Sequence, residues 1–182
     1  MSKLIMWNVI TLDGYFEGEK NWELSFHETV WGPETERFSL EQLNAADYLV
    51  FGRTTYEGMA AYWKTAKGEI ADFMNKLPKI VCSRTLNSVD WNNSILIKEN
   101  VANEIAKLKA KSNKDMYVFG SANLSETLIK ENLIDEYRIC IAPVIIGKGR
   151  YLFAKGLPER KLSLISSQPL MTGGVILKYN SI

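Results

Sequence analysis

Three short passages carry most of the side chains that could do chemistry: Gly52-Arg53-Thr54-Thr55, Ser83-Arg84-Thr85 and Gly120-Ser121-Ala122-Asn123. Each combines small residues with polar side chains, and two bring a guanidinium group. Arginine's planar fork donates paired, charge-assisted hydrogen bonds to phosphate oxygens. A glycine-serine turn that opens a helix presents free backbone N–H groups at the positive end of the helix dipole. The three passages together suit the phosphates of a dinucleotide, although helix capping alone would account for any one of them. Gly147-Lys148-Gly149 resembles them only superficially. It lacks the third glycine of the dinucleotide fingerprint, and Tyr151-Leu152-Phe153 does not open a helix. A tight loop near the pocket or an interface is therefore expected there.

Such passages matter only if strands and helices gather them. Met116–Phe119 is a short apolar run, and Leu124, Leu128, Ile129 and Leu133 then fall on one helical face. Residues 135–141 alternate like a strand, which completes a strand-turn-helix-strand crossover. Strands are also expected at 3–10, 48–52, 79–83 and 94–98. Pro33 starts a helix that Asp47 ends, with Phe38, Leu40, Leu43 and Ala46 facing inward. A second helix runs from Arg53 to Trp63, and a threonine, Thr54 or Thr55, with Glu57 three or two residues later reads as a cap-like start. A short third helix stops before Pro78, and a fourth spans 101–110. Residues 162–166 and 175–179 form an antiparallel pair through the Gly173-Gly174 turn. The whole predicts one α/β domain over residues 1–182. Its mixed sheet is mainly parallel at the centre, with helices on both faces and an antiparallel C-terminal edge. Right-handed crossovers would bring Gly52, Ser83 and Gly120 to one rim, where open α/β sheets bind ligands.

The segment 17–33 has no clean periodicity yet carries Trp22, Phe26 and Trp31. It reads as a flap over a ligand pocket or as an ordinary packed loop. The formal net charge is +1, with 24% charged residues. No large basic field therefore argues for nucleic acid or an anionic membrane surface. No apolar run approaches the roughly 20 residues of a membrane-spanning helix. The N-terminus enters a strand without signal-peptide features, so a cytoplasmic location is expected. There are 2 cysteines and 1 histidine, too few for a zinc site of about four such ligands. Cys82 and Cys140 read as small buried strand residues, and His27 as a surface or loop histidine.

The passage from Tyr48 to Glu57 resembles the Gly-Arg-x-Thr-aromatic-Glu segment of dihydrofolate reductases. Residues 139–153, with Asp135-Glu136 ahead of them and Pro143-Val144-Ile145-Ile146-Gly147 within them, resemble the reductase domain of bacterial riboflavin-biosynthesis enzymes. Thr11-Leu12-Asp13-Gly14 is similar to the same group. The likeness spans nearly the whole chain, in order. It implies a dihydrofolate-reductase-like fold of about eight strands with NADPH across the strand ends. The implied activity is an NADPH-dependent reductase of the dihydrofolate reductase or 5-amino-6-ribosylamino-uracil reductase type, acting on a small molecule. A homodimer is implied as well.

Residue by residue, the resemblance puts Arg53 and Thr54 on the phosphates, beside Gly52 and Thr55, with Arg53 nearest the ribose 2′-phosphate. It puts Ser83 and Arg84 around that phosphate and the adenine. Gly120, Ser121, Asn123 and Leu124 would line the pyrophosphate turn, and Val9 and Ile10 would back the nicotinamide. Ser121 stands where the family pattern usually has a second glycine. The carboxylate of true folate reductases has no clean match; Glu34 and Glu36 read as solvated helix-start charges. Asp13 is the candidate polar group on the substrate side, or else a turn-forming residue before Gly14. Trp22 would stack on a flat substrate ring or pack the flap. A nucleotide-binding sensor without turnover is the alternative reading.

Overall fold

Leu4, Ile5 and Met6 are all fully buried, which is the condition of a strand covered on both faces. They open the central strand of the computed structural model, which describes residues 2–182. In chain order the first elements are β1 (Leu4–Thr11), β2 (Tyr15–Glu17), a 3-10 turn (Ser25–Thr29), α1 (Pro33–Asn44), β3 (Ala46–Gly52), α2 (Arg53–Trp63) and α3 (Glu69–Lys76). There follow β4 (Lys79–Cys82), β5 (Ser94–Ile97), α4 (Val101–Lys111), β6 (Asp115–Phe119) and α5 (Ala122–Lys130). The chain ends with β7 (Glu136–Ala142), β8 (Arg150–Tyr151), β9 (Leu162–Pro169) and β10 (Val175–Ser181).

Eight strands form one sheet in the order β5-β4-β3-β6-β1-β7-β10-β9, and β2 pairs with β8 apart from it. The first six strands run parallel. Strand β10 is antiparallel to both β7 and β9. Alternation along each strand sorts the side chains between two layers. Met6, Val50, Ile80 and Val118 pack with Ile105 of α4 and Leu128 of α5. Ile5, Leu49, Phe51 and Tyr117 pack on the other face with Leu43, Tyr56 and Met74 from α1, α2 and α3. Trp7 and Val9 continue that face beneath Phe26, Val30 and Phe38.

Several details of the fold differ from the sequence reading. Strand β3 begins at Ala46, so Asp47 lies in the strand and does not end the helix. Its carboxylate instead accepts the backbone N–H groups of Asn113 and Lys114. Glu34 is not simply a solvated charge: it accepts the Met171 N–H at 2.7 Å and ties α1 to the β9–β10 turn. The ribbon of β2 and β8 is too short for periodicity to reveal. Tyr15 and Tyr151 hold it by stacking with centroids 4.3 Å apart.

Candidate functional site

The sheet parts at its centre. Strand β1 pairs with β6 only as far as Trp7 opposite Phe119, yet it stays with β7 to Thr11 opposite Ala142. In a parallel ladder, successive residues address opposite neighbours. The Lys3 carbonyl accepts from Met116, ahead of the β6 side, and the Leu4 carbonyl accepts from Asp135 on the β7 side. The same alternation turns the backbone of Val9 toward the place where β6 has already ended. A cavity of about 1170 Å³ opens there and runs around the carboxyl ends of β3, β4 and β6. Small-molecule pockets usually hold roughly 300–1,000 Å³, so this one has room for a large ligand or for two.

Helices α2, α4 and α5 all begin at this cavity, and no side chain caps any of them. Their first-turn residues, among them Thr54, Thr55, Ala102, Asn103, Ala122 and Asn123, line it. Uncapped first-turn N–H groups attract anions. The side-chain cap expected from Thr54 or Thr55 with Glu57 does not form. Gly52 is the extended cap residue, and Thr55 Oγ1 is engaged elsewhere. Gly52, Arg53, Ser83 and Arg84 line the same cavity. No ion pair among the described residues involves Arg53 or Arg84. Ser83 Oγ accepts the N–H groups of Thr85 and Leu86 and so shapes the loop that carries Arg84.

Gly120 and Ser121 have φ of 55° and 61°, the left-handed region. A Cβ on Gly120 would come within 3.1 Å of Thr55 Oγ1, so only glycine fits without displacement. Ser121 tolerates its conformation because its side chain is tied on both sides. Its Oγ accepts the Gly52 N–H at 2.9 Å and donates to the Phe119 carbonyl at 3.0 Å. Its own N–H donates to Thr55 Oγ1 at 3.0 Å. One hydroxyl thus joins the ends of β3 and β6, which explains how serine replaces the expected second glycine. Asn123 accepts from Arg150 at 2.6 Å, and Leu124 completes this wall.

Val9 and Trp22 line the cavity; Ile10 and Asp13 do not. Ile10 packs against the α4–α5 core. Asp13 accepts the Gly147 N–H at 2.8 Å and the Ile146 N–H at 3.4 Å. Hydrogen bonding from the Thr11 hydroxyl and then from these amides holds its carboxyl below the usual carboxylate value. The 147–149 loop is therefore pinned to the turn after β1. His27 lies on the 3-10 turn within the cavity wall and not on the open surface. Burial lowers its pKa to about 4, so the ring is neutral at pH 7. Burial raises the thiols of Cys82 and Cys140 to about 12.

Asn8, Lys98 and Arg150 also line the cavity and were not anticipated. A lone asparagine inside the apolar run 4–10 was a usable signal for the first. Arg150 was hidden by its position after a failed glycine motif. No cluster of His, Cys, Asp and Glu among the described residues could hold a metal ion. No helix among them is long and apolar enough to cross a membrane.

Comparison with known proteins places this geometry. Residues 2–176 match the family of the RibD C-terminal domain. The chain belongs to that family. One relative is YyaP of Bacillus subtilis (strain 168), an uncharacterized protein 30% identical over 98% of this chain and 94% of its own. A Shewanella sp. PV-4 protein ascribed to riboflavin biosynthesis superposes with a TM-score of 0.81 at 24% identity, covering 99% of each chain. Dihydrofolate reductase from Enterococcus faecalis, solved with NADP(H), superposes with a TM-score of 0.66 at 15% identity, covering 98% and 96%. The RibD C-terminal domain of this chain therefore has a reductase-type, dihydrofolate-reductase-like fold.

Proposed function

We propose that the protein is an NADPH-dependent reductase that transfers hydride to a flat heterocycle, pterin- or pyrimidine-like, or to a related carbonyl or imine. The observation that carries this reading is the meeting of three uncapped helix starts with Arg53 and Arg84 in one cavity at the parted strands. The residues present fit a dinucleotide. The Gly120 turn is crowded against Thr55 on its inner side, which keeps side-chain atoms out of the space its backbone faces.

On this reading, the starts of α2 and α5 hold the phosphates, with Gly52, Thr54, Thr55, Gly120, Ser121, Asn123 and Leu124 shaping the cradle. Arg53, Ser83 and Arg84 take the 2′-phosphate, because the guanidinium fork suits it. Val9 offers its unpaired backbone groups to the nicotinamide carboxamide, while Ile10 supports that strand from behind. Trp22 covers a flat substrate ring. When bound, NADPH supplies the hydride; the chain positions it and limits the access of water. Asp13 acts in this reading by fixing the 147–149 loop at the cavity's edge. The proton comes from a water admitted to the cavity. The assembly is a homodimer.

Titration of NADPH fluorescence tests the reading, and no binding at millimolar cofactor would end it. Arg53→Ala should weaken NADPH about 10- to 100-fold while changing NADH by less than about threefold, in line with the loss of a charge-assisted phosphate contact. Equal losses for both cofactors would remove Arg53 from the 2′-phosphate. Among the described residues, Glu17 lines the cavity beside the aromatic loop but is engaged by the Trp22 N–H and by Arg150, which favours a second reading as a non-catalytic NADP(H) sensor. Bound NADPH that stays unoxidised across pterins, pyrimidines and simple carbonyls would select it.

A further inference from the structure

Five buried side-chain polar atoms have no hydrogen-bond partner among the described residues: Ser2 Oγ, Asn8 Nδ2, His27 Nε2, Gln42 Nε2 and Ser94 Oγ. Of these residues only Asn8 and His27 also line the cavity. Asn8 is the more demanding case. It is 4% exposed and lies in β1, where Leu4, Ile5 and Met6 before it are fully buried. A buried donor without an acceptor costs its full desolvation, and an apolar side chain in its place would avoid that cost. Native interiors hold few such groups.

The position of Asn8 supplies a reason for it. Residues of a strand alternate between the two faces of the sheet. Trp7 and Val9 turn to the layer of Phe26, Val30 and Phe38. Asn8 therefore turns with Met6 and Ile10 to the layer of Leu124 and Leu128 from α5. Its neighbour on one side is Ile139 of β7. On the other side β6 places no residue opposite it, because the last pair is Trp7 with Phe119. The chain leaves there through Gly120 and Ser121 into α5, and those residues line the same cavity. The cavity has two unlike walls. Arg53 and Arg84 follow the ends of β3 and β4, and Arg150 bonds to Asn123 at the start of α5. Trp22, Trp31 and Trp63 line the other wall. Asn8 belongs with the first.

We infer that Asn8 is a cofactor-positioning residue, whose Nδ2 donates to the carboxamide oxygen of the nicotinamide and holds the ring in the gap between β1 and β6. The last torsion of an asparagine is broad, so the amide re-aims without moving the strand. A neutral donor suits a neutral carboxamide, and the arginines are left to the phosphates. The inference rests on the reductase reading, and it adds a side-chain contact to the backbone contacts of Val9. The unmet donor of the free protein is the mark of that role.

Two variants test it. Asn8→Leu keeps the number of heavy atoms and removes the donor, and Asn8→Ala removes the donor with less bulk. Each is titrated with NADPH, with its thionicotinamide analogue and with 2′,5′-ADP, which lacks the nicotinamide half. Both variants should weaken NADPH about tenfold. They should weaken the thionicotinamide analogue by less than about threefold, because sulfur is a weak acceptor, and should leave 2′,5′-ADP unchanged. Without ligand, at least one variant should melt no lower than the wild type. The Asn8 side-chain NH2 resonance, assigned by its loss in the variants, should shift when NADPH is added and stay in place with 2′,5′-ADP. Unchanged NADPH affinity in both variants would overturn the inference, as would equal losses for NADPH and 2′,5′-ADP. Melting of both variants below the wild type would overturn it as well, because the asparagine would then serve the fold. Failure of both NADPH and 2′,5′-ADP to bind the wild type would instead end the cofactor reading on which the inference stands.

Discussion

Ser121 shows how one side chain can stand in for a glycine. Left-handed backbone costs a non-glycine residue about 1–2 kcal/mol, and a net hydrogen bond returns roughly 1 kcal/mol. The two bonds of its hydroxyl, to Gly52 and Phe119, offset the strain. Ser121→Ala keeps the strain and loses both bonds, so chemical denaturation should show a loss of roughly 1–3 kcal/mol. Ser121→Gly relieves the strain and should cost less. Equal losses would mean that the hydroxyl does not support the turn. His27 makes a second case. Its folded pKa of about 4 lies below the ordinary 6.5. The unfolded chain therefore binds the extra proton first, and stability rises as pH climbs from about 4 to 6.5. The contribution is present above that window and lost below it, on the order of 3 kcal/mol at most. His27→Gln should flatten this part of the stability–pH curve. Both features escape a reading of sequence alone. A serine's backbone angles and a histidine's burial depend on partners tens of residues away, such as Gly52 for Ser121.

At the scale of elements, the loop between β2 and α1 is latched to α2. Trp22 has a φ of 66°, and its indole occupies the place where a side chain on Gly58 would begin. Gly58 lies inside a helix, where alanine is normally the better residue by roughly 1 kcal/mol. Here Gly58→Ala should leave helical circular dichroism intact and yet release the loop. The expected signs are a red-shifted tryptophan emission and faster proteolysis within residues 18–31. An unchanged emission spectrum would show that the indole does not rest on the helix. The elements themselves were largely legible. Near-continuous apolar runs in 4–10, 79–82 and 116–119 mark strands buried on both faces, and Pro33 and Pro78 punctuate helices where expected. The flap reading of 17–33 and the rim formed by Gly52, Ser83 and Gly120 follow from that order. What stayed hidden depends on tertiary pairing: the β2–β8 ribbon, the arrival of Arg150, and the anchoring of Asp13 to amides 133 and 134 residues further along. Uncapped helix starts were equally invisible, because Thr54 and Glu57 satisfy a capping pattern by type but not by position.

Over the whole molecule, a formal charge of +1 conceals a marked separation. One half of the cavity gathers cations and helix dipoles, and the other gathers indoles. Net charge says little about such a molecule's partners; the distribution says more. The far side of the sheet raises a different question. Strand β9 is an edge strand of eight residues, and Leu162, Leu164 and Ile165 are exposed on it. Exposed apolar edges invite pairing with another chain. The proposed homodimer would use this edge. Sedimentation equilibrium should report twice the chain mass, and Leu164→Lys should shift the population toward monomer without loss of fold. A wild-type protein that sediments as a monomer would end the proposal. The separation of β1 from β6 has one more consequence. Protein interiors rarely leave main-chain donors idle, yet Val9 carries one in the innermost strand of the sheet. Its amide should trade hydrogen for deuterium quickly in the free protein, at a rate unrelated to global unfolding. Whatever molecule fills that seam completes the ladder, and its arrival would be recorded as sudden protection at a single deeply placed position.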